Sequence, residues 1–203
     1  MNRPLPGTVR SDRQAFDQIS TRFRDEVGRI SSRINFVRGP VPFWALLRAM
    51  FPVAESLGDL IYRHDNSTTQ NLRCVLAAEF NAVRAGYAGK AALLAHLYRH
   101  SLVHHDELRV VTSGARSVGW RVSSEKNARH LEVRRARRDY YRVTFQPRTF
   151  YDDILAVCEQ ARNRRWNGDV MRRYNSWLIA DLDASRANGS VKAVKQDINA
   201  LFT

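Results

Sequence analysis

The spacing of apolar residues changes twice along the chain, and this change constrains the fold more than any other feature of the sequence. Up to about residue 105, apolar residues recur every three or four positions, as on helices with one buried face. Between about residues 107 and 146 the runs become short and β-type, and helical spacing then returns. We therefore predict an α+β fold, mainly α, in which a helical bundle carries a small antiparallel β insertion.

The helices before the insertion have start and stop signals. Ser11 is placed to cap a first helix, whose predicted buried face consists of Phe16, Ile19, Phe23, Val27, Ile30 and Ile34. A second helix should bend or restart at Pro52. A third is expected from about Thr68 to Val83, and a fourth from Lys90 to about Leu102.

Four runs rich in Val, Trp and Tyr predict the strands, and they read LRVVT, VGWRVS, HLEVRR and YYRVTF. A length of 203 residues suits a single domain. Within it we expect bundle helices over 10–105, the β insertion over 106–146 and C-terminal helices over 147–203. The large aromatics are expected in the core or packed on the sheet, namely Trp44, Trp120, Trp166 and Trp177.

The charge balance indicates a polyanionic partner. The chain has 33 Lys and Arg against 20 Asp and Glu, a net charge of +13, and most of the basic residues are arginine. A guanidinium binds phosphate with two parallel hydrogen bonds and stacks on bases, so RNA or DNA is the expected ligand. The alternative is an arginine-rich composition that raises the charge everywhere without a specific partner.

The remaining composition bears on compartment. Cys74 and Cys158 are far apart and belong to no CxxC motif, which argues against a zinc ribbon or a disulfide framework. The N-terminal residues show no apolar signal segment, and the most apolar stretch, from Val41 to Ala54, is interrupted by Arg48. We expect a cytoplasmic protein with reduced cysteines and no membrane partner.

Four of the six histidines lie within ten residues, in the segment HLYRHSLVHH from His96 to His105. On a helix, His96, His100 and His104 would share one stripe. Three interpretations are open: a metal site, ordinary histidines at the edge of an amphipathic helix, or an acid–base pair formed by Arg99 and His104. The absence of a carboxylate from the motif, together with the charge of Arg99, disfavours the metal site, so we predict no metal and no cofactor.

Arginine with histidine suits metal-independent cleavage of RNA. A histidine that titrates near neutrality can take the proton of a 2′-hydroxyl or donate one to the leaving oxygen. The arginine can stabilise the charge that develops on the phosphate in the transition state. A homodimer would bring two such pairs together, so dimerisation is part of this hypothesis.

The stretch Arg99-His-Ser-Leu-Val-His104 resembles the Arg-x4–6-His motif of the HEPN (higher eukaryotes and prokaryotes nucleotide-binding) superfamily, which consists of helical bundles. His100 matches the polar position that follows the motif arginine. The resemblance implies that Arg99 and His104 are catalytic, with His100 assisting. It implies an endoribonuclease that leaves a 2′,3′-cyclic phosphate, in a toxin or phage-defence setting with an antitoxin or other partner protein. Some bundles of this type bind RNA without cleaving it.

Two arginine groups are candidate nucleic-acid contacts. The first belongs to the β insertion, where it is interleaved with His130, Tyr140 and Tyr141; its arginines are Arg129, Arg134, Arg135, Arg137, Arg138 and Arg142. The second includes Arg164 and Arg165, beside Trp166. For the first group, the alternative is a charged strand edge that prevents aggregation. For the whole chain, the alternative to a ribonuclease is a non-catalytic nucleic-acid-binding or assembly protein.

Overall fold

The computed structural model describes residues 7–30, 41–63, 68–98, 110–125 and 127–178 of the chain. Within these ranges, four helices longer than one turn come first, then four strands, then two more helices, which confirms the α+β, mainly α class. The elements are α1 (Asp12–Phe23), α2 (Val41–Tyr62), α3 (Thr68–Val75), α4 (Ala91–Leu97), β1 (Val111–Ser113), β2 (Arg116–Val122), β3 (Val133–Arg137), β4 (Tyr140–Phe145), α5 (Pro147–Arg162) and α6 (Asp169–Leu178).

Helix α1 begins at the predicted cap, where the Ser11 hydroxyl accepts a hydrogen bond from the Gln14 amide at 3.1 Å. Phe16, Phe23 and Val27 are buried, as predicted, but Ile30 is 44% exposed. The helix continues through a π-helical turn at Arg24–Gly28, and Ile30, which follows this turn, lines an open pocket together with Ile19, Phe23 and Val27. Ile34 lies outside the described residues.

Helix α2 is one continuous helix with Pro52 inside it, so of the two predicted outcomes, a bend or a restart, the restart is wrong. Pro52 is exposed, and water can therefore reach the carbonyl that a proline leaves without a helical donor. Gly58 allows α3 to approach closely, since a Cβ atom there would lie 2.4 Å from the Asn71 carbonyl oxygen. After Val75 the α3 segment continues as a π-helical turn, Leu76–Phe80, and one more helical turn, Asn81–Val83.

The sheet has the strand order β1-β2-β4-β3. β1 pairs with β2 and β3 with β4 in the antiparallel sense, as predicted, but β2 and β4 are parallel. The sheet is therefore mixed, and the expectation of a purely antiparallel insertion is wrong. β4 lies between β2 and β3 rather than at an edge, an order that the apolar spacing of the individual strands does not encode.

An aromatic cluster around Phe51 joins the sheet to the helices. The Phe51 ring stacks on Tyr98 at a centroid distance of 4.7 Å and lies 4.9 Å from Phe150 of α5. From the sheet, Phe145 and Trp120 reach the same ring at 5.6 and 6.0 Å. The cluster covers one face of the sheet. On the opposite face Arg134 and Arg142 are exposed, whereas Gly119 and Thr144 are buried.

Hydrogen bonds from the start of α1 hold the N-terminal turn of α6 in place. The Asp12 carboxylate accepts hydrogen bonds from the amides of Gly168 and Met171, each at 2.7 Å, and so caps the first turn of α6. Trp177, near the end of α6, is 41% exposed and donates to Asp59, so its predicted burial is wrong. Across the described ranges, no helix combines the length and apolarity that a bilayer crossing requires.

Candidate nucleic-acid interface

The predicted catalytic residues Arg99, His100 and His104 lie outside the described residues. The helix that leads to them is described as far as Tyr98, which is 3% exposed and stacks on Phe51. His96, the first histidine of the proposed stripe, is exposed. The core thus holds the residue directly before Arg99, and the motif itself stays a prediction from the sequence.

The arginines of the β insertion lie on and beside β3, an edge strand whose five residues are all exposed. Each of the six predicted nucleic-acid contacts in this region is exposed, namely Arg129, Arg134, Arg135, Arg137, Arg138 and Arg142. From residue 110 to 146 the sequence has eight arginines and one lysine against three carboxylates. This end of the molecule is strongly electropositive.

Strand register places two of these arginines directly opposite each other. Arg134 of β3 is the partner of Arg142 of β4, and Arg142 is in turn the partner of Gly119 of β2. Facing residues in an antiparallel pair have Cβ atoms about 5 Å apart, and like charges at that spacing destabilise the sheet. A bound anion would relieve this repulsion.

Few carboxylates neutralise this region. Arg134 pairs with Glu132 at 2.9 Å, and Arg138 lies 3.7 Å from Asp139. Within the described part of the chain, five insertion arginines have no carboxylate partner: Arg116, Arg129, Arg135, Arg137 and Arg142. Most of the positive charge therefore remains available to a ligand.

Tyr140 lies on the same sheet face as Arg142, two residues along β4. The Arg142 guanidinium carbon is 5.4 Å from the centroid of the Tyr140 ring, a cation–π contact. By register, Arg137 is the partner of Tyr140. We call this set, made of Arg134, Arg137, Tyr140 and Arg142, the basic sheet face.

The other two aromatics of the predicted interface lie elsewhere. Tyr141 follows Tyr140 in the strand and therefore points to the opposite face. His130 belongs to the segment before β3, and its ring packs edge-on against the buried Phe145 at 4.7 Å. The sequence predicts one interface for all three aromatics because they are close together along the chain. It does not show on which side of the sheet each of them lies.

His130 belongs to a buried hydrogen-bond chain that the sequence did not indicate. The Gln146 amide donates to its Nδ1 at 3.0 Å, so the ring proton is on Nε2, which donates to the Tyr87 hydroxyl at 2.8 Å. Tyr87 donates in turn to Asp153 at 2.8 Å, and Arg84 forms a two-pronged ion pair with the same carboxylate.

This chain of hydrogen bonds connects the β insertion to the helices. Burial, helped by the nearby Arg84 charge, lowers the pKa of His130 to about 3, so the ring is neutral at physiological pH. Burial also raises the pKa of Tyr87, with the Asp153 charge adding to the effect. Both ring nitrogens of His130 are engaged, which suits a structural role rather than proton transfer to a ligand.

In the second arginine group, Arg164 is engaged in structure. Arg164 contacts Glu79 through both terminal nitrogens, at 2.8 and 2.5 Å, and Tyr62 donates to the same carboxylate at 2.7 Å. The hydrogen bond that Arg164 donates to Glu79 raises the pKa of the arginine. Its neighbour Arg165 is exposed and has no carboxylate partner in the described part of the chain. The two adjacent arginines therefore differ in how much charge each presents to solvent.

Within the described ranges, no three His, Cys, Asp or Glu side chains converge as a metal site would require. Cys74 and Cys158 are both free thiols, and burial raises the pKa of Cys158 to about 12. A thiol of that pKa is protonated and inert. Among the described residues, the feature with the clearest capacity to bind a ligand is the basic sheet face.

The chain matches no protein-family model, no curated protein and no solved structure.

Proposed function

We propose that this protein binds RNA and that the basic sheet face makes the phosphate contacts. The observation that carries the proposal is the alignment of Arg134 opposite Arg142 on an exposed sheet face. Two facing guanidinium groups are unfavourable for the free protein and favourable once an anion lies between them. A phosphodiester backbone supplies such anions at regular intervals.

The charge distribution supports a polymer rather than a single small anion. Basic side chains extend from Arg129 before β3, along the strand, to Arg138 in the turn that follows it. Arg142 extends the positive surface to the neighbouring strand. A ligand with several phosphates could contact this whole line, whereas one small anion would occupy only part of it.

Binding can be tested with two variants of equal net charge. The first, Arg134→Gln with Arg142→Gln, removes the facing pair. The control, Arg13→Gln with Arg148→Gln, removes two exposed arginines from α1 and α5. We expect the first variant to weaken binding of a labelled RNA oligonucleotide about tenfold, measured by fluorescence anisotropy, because two charge-assisted contacts are lost. Equal losses in both variants would refute a specific role for this face.

The second candidate function is metal-independent endoribonuclease activity, and it rests on the Arg99-His100-x3-His104 motif. Arg99 would stabilise the transition-state charge, His104 would transfer the proton, and His100 would assist. Two copies of the motif in a homodimer would complete the acid–base apparatus, and the product would carry a 2′,3′-cyclic phosphate. Such an enzyme would act in the cytoplasm, in a toxin or phage-defence role, and an antitoxin protein would control it.

Cleavage can be tested separately from binding. Labelled RNA is incubated in EDTA with the wild-type protein and with the Arg99→Ala and His104→Ala variants. Loss of cleavage in both variants, with RNA affinity retained, would support the nuclease. Equal behaviour of all three proteins would leave RNA binding as the function.

A further inference from the structure

The contact between Tyr140 and Gly119 gives the basic sheet face a second chemical property besides charge. A Cβ atom built on Gly119 would lie 2.7 Å from the Tyr140 hydroxyl oxygen and 3.5 Å from two ring carbons. Any larger residue at this position would therefore displace the ring. The tyrosine reaches across the sheet from β4 and lies over the backbone of β2.

Arg142 completes this arrangement. Its guanidinium carbon is 5.4 Å from the Tyr140 ring centroid, and its main chain is paired with that of Gly119. A phenol ring and a guanidinium are both planar groups on which a nucleobase can stack. The guanidinium lies over the Tyr140 ring, and by register the cations of Arg134 and Arg137 occupy the facing positions of β3.

A stacking surface of this kind distinguishes between forms of nucleic acid. In a duplex the base faces are covered by their neighbours, and only phosphates, sugars and groove edges are exposed. In a single strand a base can leave its neighbours and stack on an aromatic side chain while arginines hold the adjacent phosphates. Charge alone would not make this distinction.

We propose that Tyr140 and Arg142 form a base-stacking platform and that the ligand of the basic sheet face is therefore single-stranded RNA. This inference rests on the proposed function, because it assumes that this face binds RNA. Every base has a π face, so the platform is expected to tolerate many sequences.

The test compares a short fluorescein-labelled oligouridine with an RNA duplex of equal length. The variants are Tyr140→Leu, which removes the ring, and Gly119→Ala, which displaces it. Tyr141→Leu is the control, since it removes the neighbouring ring on the opposite face. Circular dichroism and urea denaturation establish that each variant is folded before its affinity is measured.

We expect Tyr140→Leu and Gly119→Ala each to weaken oligouridine binding at least about fivefold and to change duplex binding less than twofold. Tyr140→Phe should restore most of the affinity that Tyr140→Leu loses. Equal affinity of the wild-type protein for both ligands, unaffected by Tyr140→Leu, would overturn the platform while leaving RNA binding intact. Binding of neither ligand would instead overturn the proposed function.

Discussion

Arg134 and Arg142 are directly opposite partners in the antiparallel pair of β3 and β4. The position is costly, because two positive side chains face each other on an exposed sheet. Glu132 lies 2.9 Å from Arg134, whereas Arg142 has no carboxylate partner among the described residues. An arrangement that costs stability in the free protein and gains from an anion is typical of a binding site.

The first prediction follows from this cost. Arg142→Gln should raise the free energy of unfolding by roughly 0.2–1 kcal/mol at low salt, because it removes the like-charge pair. The same substitution should weaken RNA binding. Urea denaturation measures the first effect and anisotropy the second. Arg13→Gln, on the exposed side of α1, is the control and should change stability by less than about 0.5 kcal/mol. A clear loss of stability in Arg142→Gln would show that this arginine supports the fold.

The second prediction concerns Asp153, which accepts hydrogen bonds from both Arg84 and Tyr87. Its side chain is 2% exposed, so Asp153→Ala leaves a guanidinium and a hydroxyl without their acceptor. We expect a loss of about 3 kcal/mol in the free energy of unfolding, measured with urea. The neighbouring Asp152 is 51% exposed, and Asp152→Ala should cost less than about 1 kcal/mol. Similar losses in both variants would mean that the buried network contributes little.

The third prediction is a pH dependence due to His130. Its pKa is about 3 in the folded protein against an ordinary value of 6.5, so the unfolded chain takes up the proton first as the pH falls. The contribution of His130 to stability is therefore complete above about pH 6.5 and is lost progressively as the pH falls toward 3. Between pH 7 and pH 5 this amounts to roughly 2 kcal/mol.

The matched variant for this effect is His130→Gln, which cannot titrate. The decrease in the urea midpoint from pH 7 to pH 5 should be smaller in the variant than in the wild-type protein. The variant is nevertheless expected to be less stable than the wild type at both pH values. An identical pH dependence in the two proteins would show that His130 takes up its proton without unfolding.

The fourth prediction separates two adjacent arginines. Arg164 binds Glu79, whose side chain is 6% exposed, so Arg164→Gln leaves a buried carboxylate without its cation. We expect Arg164→Gln to lower the free energy of unfolding by about 1–3 kcal/mol, as measured in urea. Arg165→Gln removes the same charge from an exposed position and should stay within about 0.5 kcal/mol of the wild type. If the two variants were equally stable, the Glu79 contact would be without structural importance.

The sequence predicts well those features that depend on neighbours along the chain. The Ser11 cap, the buried Phe16 and Phe23, and the presence of all four strands are confirmed, because caps, helical faces and strand propensity are local properties. Ile30 shares an open pocket with Ile19, Phe23 and Val27, so its exposure comes from how little packs over this end of the helix, which a helical pattern does not encode.

Features that depend on tertiary placement were missed. One is the parallel alignment of β2 and β4. Another is the series of hydrogen bonds that runs from Gln146 through His130 and Tyr87 to Asp153. Both join residues whose proximity no local sequence pattern reveals. The candidate site shows the same division. Its arginines were predicted from composition, while the register that sets Arg134 against Arg142 and the contact of Tyr140 with Gly119 came only from the structure.

The most direct test of RNA binding by the basic sheet face is the salt dependence of affinity. For a single strand, each phosphate neutralised contributes about 0.7 to the slope of log K against log salt concentration. Arg134→Gln with Arg142→Gln should therefore reduce the slope by about 1.4, while Arg13→Gln with Arg148→Gln should leave it unchanged. A slope that is the same in the wild-type protein and the Arg134/Arg142 variant would contradict phosphate binding at this face.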